Sequence, residues 1–170
     1  MNHRDAADYF GKVEKDNYLA HSIRKIEFDI LTKQSKHYHI ISKVSTTSEK
    51  SKIMFFDNSC LIWLPCNCDT IKDEEIRLTL AHELGHVIFN IEALKNPEIL
   101  GNHESSVEEE QFAWEFAFHL IKKKSDEHRD NINRKKFVYD FEQLKDVFCA
   151  IVRKKAKQEV YDSVKVSLNL

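Results

Sequence analysis

Arg77-Leu78-Thr79-Leu80-Ala81-His82-Glu83-Leu84-Gly85-His86-Val87 is the stretch on which the fold turns. Its apolar spacing predicts a helix from about Asp73 to Phe89. Residues four apart share one helix face, so His82 and His86 can reach a single metal ion while Glu83 sits beside them. Zinc suits such a pair, because it takes neutral imidazole nitrogen and leaves a fourth position for water. A carboxylate next to that water can take its proton. The His-Glu-x-x-His spacing is the pattern of a zinc-dependent peptidase helix.

Upstream, Ile53-Met54-Phe55-Phe56 and Cys60-Leu61-Ile62-Trp63-Leu64 flank Asp57-Asn58-Ser59 and read as a β-hairpin. Pro65 ends its second strand, since proline cannot donate to a ladder. Thr70 is placed to cap the following helix, with Asp73 three residues on. Asn90 and the stretch around Pro97 and Gly101 mark its end. Nearer the start, residues 5–31 carry apolar positions at helical spacing and predict one or two helices. His37 to Ile41 reads as a short strand and Ser45 to Lys52 as a polar loop. His37 and His39 would share a strand face, and they read as surface residues rather than a second metal site. Downstream, a second helix is expected from about Ser106 to Lys123. Phe137, Phe141, Leu144, Phe148, Ile151 and Val152 predict a C-terminal helix.

The 170 residues suffice for one domain with a real core. With only 3 Gly and 2 Pro, long flexible linkers are not expected and helices should dominate. The expected class is therefore α+β: a mostly helical single domain over residues 1–170, with a small β-sheet packed before the histidine helix. Its motif core covers about residues 53–121, and its C-terminal helical part about 132–165. The net charge of −2 hides an asymmetry, because residues 121–170 carry +5 and the first 120 carry −7. The charges of that tail are interleaved, as on a solvated helix face, and do not suggest direct nucleic-acid binding. The first residues, Met1-Asn2-His3-Arg4-Asp5, have no apolar core like that of a secretory signal. No apolar run approaches the roughly 18–20 residues that span a bilayer. A cytoplasmic protein is expected, in which Cys60, Cys66, Cys68 and Cys149 are reduced thiols. Cys66-Asn67-Cys68 lacks the spacing of a zinc knuckle and reads as a turn.

A catalytic zinc site usually has three protein ligands. The candidates for the third lie in Val107-Glu108-Glu109-Glu110-Gln111-Phe112-Ala113-Trp114-Glu115-Phe116-Ala117-Phe118-His119. At roughly 100° per residue, Gln111, Glu115, His119 and Lys122 cluster on one polar side, and Glu108 falls with them. Glu109 and Glu110 both point toward the buried side, and periodicity does not choose between them. Close approach favours Glu110, because the small residues Ala113 and Ala117 lie one and two turns beyond it. His119 is nearly opposite Glu110 and so makes a poor ligand.

The run from Arg77 to Val87 resembles the metal helix of the ImmA/IrrE family of zinc metallopeptidases. Glu110-Gln111-Phe112-Ala113-Trp114-Glu115-Phe116-Ala117 resembles that family's second motif, a Glu ligand followed by Ala and then by a Phe-Ala pair. The resemblance covers about residues 53–121. It implies a zincin-like metallopeptidase in which His82, His86 and Glu110 hold Zn2+ and Glu83 is the general base. It also implies a cytoplasmic enzyme of a mobile element or stress locus that cleaves a helix-turn-helix repressor. Three positions depart from the family pattern. Trp114 stands where the family usually has Asn or Asp, Phe112 replaces a second Glu, and Leu120-Ile121-Lys122-Lys123 lacks the family's proline.

The expected chemistry is peptide-bond hydrolysis, with the strand Cys60–Leu64 as an edge for an extended substrate. His103 and Tyr139 are candidate oxyanion donors, each read first as an ordinary surface or core residue. The alternative expectation is a zinc-binding regulatory or interaction module with the same fold and no turnover.

Overall fold

Short runs rich in β-branched and aromatic residues place the strands, and backbone pairing joins them into one four-stranded sheet. The computed structural model describes residues 27–31, 37–44, 47, 50–56, 59–64, 66–67, 73–93, 105–129 and 141–170. Strands β1 (Glu27–Leu31), β2 (His37–Val44), β3 (Lys52–Phe56) and β4 (Ser59–Leu64) lie in the order β1-β2-β4-β3. The β1–β2 and β3–β4 pairs are antiparallel, and the β2–β4 pair is parallel. The expected hairpin is β3–β4, with Phe56 opposite Ser59. Its second strand stops at Leu64, the residue before Pro65.

Two expectations about this sheet are corrected. Residues 27–31 form a strand and not the end of a helix. Glu27-Phe28-Asp29-Ile30 alternates in character, and pairing along β2 outweighs the helical spacing that the same residues also fit. The remainder of that expected helical region, residues 5–26, lies outside the described residues. The strand Cys60–Leu64 is not an edge either. β4 is paired on both sides, because β2 returns beside it in parallel, and among the described strands the edge on that side of the sheet is β3. His37 and His39 lie in β2, opposite Leu31 and Asp29 of β1.

Among the described residues four helices follow: α1 (Asp73–Ala93), α2 (Val107–Arg129), α3 (Phe141–Lys155) and α4 (Gln158–Leu168). Asn90, expected to end α1, lies inside it, held by a hydrogen bond from its side-chain amide to the His86 carbonyl. Ser106 caps α2, its hydroxyl accepting the Glu109 N–H at 3.1 Å, and three acidic residues in the first turn meet the helix dipole. The C-terminal segment forms two helices where one was expected. Lys157 is extended (φ −63°, ψ 151°) at the break. Ala156 and Lys157 are not helix breakers. The change of direction lets Val160, Tyr161 and Val164 turn back onto the core. Thr70, Pro97, Gly101 and Phe137 lie outside the described residues.

The core is built on α1. Cys60, Ile62 and Leu64, on one face of β4, are buried with Leu78, Leu80, Leu84 and Val87 of α1. On the far side, α2 contributes Trp114, Phe116 and Leu120, and Leu144, Phe148 and Val152 of α3 close the assembly with Val160 and Val164 of α4. Gly85 marks the closest helix approach. A Cβ there would lie 2.6 Å from the Ala113 Cα and 2.8 Å from the Ala113 carbonyl oxygen. Only a glycine in α1 lets α2 come this near, as the small residue at 113 suggested. Among the described residues, no helix is long and apolar enough to cross a membrane.

Candidate metal centre

The Gly85–Ala113 contact fixes how far the first turn of α2 stands from the histidines of α1. His82 and His86, one turn apart, are both buried, with Nε2 atoms 3.0 Å from each other. Glu110 reaches them across the helix contact, with Oε2 3.5 Å from His82 Nε2 and Oε1 3.5 Å from His86 Nε2. These three side chains form a group that can hold a metal ion. The 3.0 Å between the two Nε2 atoms is close to the separation of about 3.3 Å that zinc bonds of 2.0–2.1 Å give in a tetrahedron, and the Glu110 carboxylate presents a different oxygen to each histidine. Two imidazoles and one carboxylate are also a donor set that zinc accepts, and a fourth corner remains for water.

The two carboxylates that periodicity left open have different positions. Glu109 is 2% exposed and stands behind His86, accepting the ring Nδ1–H at 2.9 Å. Asn90 donates a second hydrogen bond to the same Glu109 oxygen at 2.8 Å. A ring that gives its Nδ1 proton to a carboxylate carries its lone pair on Nε2, the atom that faces Glu110. Glu109 therefore orients a histidine, and Glu110 joins the metal-capable group. Glu108 is exposed, as its phase predicted.

Glu83 lies beside this group and is buried. It accepts a hydrogen bond from the hydroxyl of Ser51, the residue before β3. Burial raises the Glu83 carboxyl above its ordinary range, against the opposing effects of His86 and the Ser51 hydrogen bond. A carboxylate raised in this way is a better proton acceptor near neutral pH. Burial and then the neighbouring His86 hold His82 well below the ordinary imidazole range, so it stays neutral. At His86 burial also disfavours the charge, but the Glu109 hydrogen bond and the charges of Glu83 and Glu110 outweigh it and raise the ring. Cys60, buried and near Glu83, is pushed up, first by burial and then by that charge, so it remains an unreactive thiol.

Sequence reasoning placed Glu115 on an outward polar side, yet it is 2% exposed and accepts the Gln111 amide at 2.7 Å. His119 stays outside the group, its ring against Phe118. The partners Ser51, Asn90 and Glu109 were not identified as such. Asn90 had a signal, being one turn beyond His86 on the same face, whereas nothing in the local sequence ties Ser51 to Glu83. His103 and Tyr139, the candidate oxyanion donors, lie outside the described residues. Comparisons with protein families, with curated proteins and with solved structures found no match.

Proposed function

We propose that this chain is a zinc-dependent endopeptidase with a zincin-like arrangement of sheet edge, histidine helix and glutamate helix. The observation that carries this reading is the convergence of His82 Nε2, His86 Nε2 and the Glu110 carboxylate on one point, with Glu83 beside them. Zinc held there supplies a Lewis acid for a peptide carbonyl and lowers the pKa of its water. The remaining work belongs to the side chains. Glu83 takes a proton from the attacking water on its carboxylate and gives it to the leaving amine. Ser51 holds the Glu83 carboxylate in place, and Glu109, accepting the Nδ1 proton, orients the His86 ring with Nε2 toward the ligand point.

Ser51 also ties the centre to the sheet, because β3, the edge among the described strands, begins at the next residue, Lys52. An extended substrate pairs with that edge, which brings its backbone alongside Glu83. A protein substrate fits this geometry, and the family resemblance makes a helix-turn-helix repressor of a mobile element or stress locus the class to test. Unpaired Cys60, Cys66 and Cys149 fit a reducing compartment, the cytoplasm.

The test is zinc-loaded wild type and Glu83→Gln against the helix-turn-helix repressor encoded nearest to the gene and against casein. Wild type is expected to cleave, and Glu83→Gln to bind zinc equally while losing about 10²–10⁴-fold in rate, the usual contribution of a general base. Equal cleavage by the two would remove Glu83 from its role. Stoichiometric zinc with no cleavage of either substrate would favour a binding module.

A further inference from the structure

The two histidines of the centre are held by different means. His86 is oriented by a hydrogen bond to Glu109. The corresponding atom of His82, Nδ1, is buried and has no hydrogen-bond partner among the described residues. Instead, the His82 ring lies against the face of Trp114, with centroids 3.9 Å apart and planes 25° from parallel. Trp114 is itself fixed. It is 2% exposed, and Phe148 of α3 meets its ring edge-on at 6.2 Å and 78°. Its own Nε1 is buried without a partner, so no hydrogen bond explains why the indole sits here.

We propose that Trp114 is the positioning residue for His82. Its flat face, backed by Phe148, fixes the imidazole plane and so aims Nε2 at the ligand point, taking the place of a hydrogen bond to Nδ1. A ring stacked at this distance cannot rotate about its Cβ–Cγ bond without driving its edge into the indole. Trp114 follows Ala113, whose backbone touches Gly85, so the helix contact that sets the distance of Glu110 also sets the height of the stack. Through Phe148, the C-terminal half of the chain takes part in shaping the centre. This inference rests on the proposed role of His82 as a zinc ligand.

Zinc affinity measured by competition with a chromophoric chelator at one pH tests it on the full chain, without any substrate. Trp114→Phe keeps a flat ring and should bind zinc close to wild type. Trp114→Leu keeps apolar bulk, loses the face, and should bind about 10- to 100-fold more weakly, the usual effect of removing a group that orients a metal ligand. Zinc-free unfolding of the two variants should differ little, which separates positioning from bulk packing. Phe148→Leu, which leaves Trp114 in place, should weaken zinc several-fold, and it decides the matter if Trp114→Leu does not fold. A leucine variant as tight as wild type, a phenylalanine variant as weak as leucine, or an unchanged Phe148→Leu overturns the proposal while leaving the zinc site standing. A wild type that binds no zinc overturns both.

Discussion

Glu109 and Glu110 are neighbours of one chemical type with separate tasks, and the difference is measurable residue by residue. Glu110 offers oxygens to both histidine Nε2 atoms, so Glu110→Gln should remove most of the bound zinc. Glu109→Gln keeps the shape but weakens the acceptor behind His86, and should reduce zinc affinity about 10- to 100-fold without abolishing binding. Isothermal titration of both variants checks this ordering, and the reverse order would exchange the two assignments. The sequence named both residues but did not separate them by periodicity, because they flank the centre of the buried side of α2. What separates them is Asn90, which reaches Glu109 from α1. Asn90 read as a helix end because asparagine is a poor helix former, a local preference that its two side-chain hydrogen bonds override.

Among the elements, the α1–α2 contact governs the site. Gly85→Ala would place a Cβ 2.6 Å from backbone that belongs to the helix carrying Glu110. The helices must separate, at a cost of about 1–3 kcal/mol for an overpacked core. Denaturant titration should show that loss, and zinc affinity should fall with it as Glu110 is drawn away. A variant with wild-type stability and wild-type zinc binding would contradict the close approach. The start of α1 is tied to the end of α3 by Glu75, which meets Lys154 at 3.1 Å and Lys155 at 3.4 Å. Burial alone would raise the Glu75 carboxyl, but the two lysines hold it below its ordinary value of 4.5. A carboxyl lowered by folding stabilises above that unfolded value and loses its contribution as pH falls through the folded one. Glu75→Gln should therefore be less stable than wild type at neutral pH, with the gap closing below pH 4.5. The gap itself is small, since exposed ion pairs contribute less than about 1 kcal/mol. A gap that does not change with pH would remove the ion pair from the account.

At the scale of the whole molecule, local pattern carried the elements and long-range pairing decided their arrangement. The hairpin, the histidine helix and the glutamate helix were legible because each is marked by residues close in sequence. The strand order was not. It depends on β2 pairing in parallel with β4, which covers the flank of β4 that a lone hairpin would leave open. The break between α3 and α4 was hidden for a similar reason, since Ala156 and Lys157 carry no stop signal and the packing of Tyr161 and Val164 sets the turn. The metal-capable group was legible because metal chemistry demands fixed residue types at fixed spacing. Its supports, Glu109, Asn90 and Trp114, became visible only once two helices stood face to face. The most direct measurement is the zinc-to-protein ratio of the chain purified without chelator, beside that of His86→Gln. One zinc per wild-type chain and a small fraction of that in the variant are expected. Wild-type protein without stoichiometric zinc, or an equal ratio in the variant, would contradict the proposed centre.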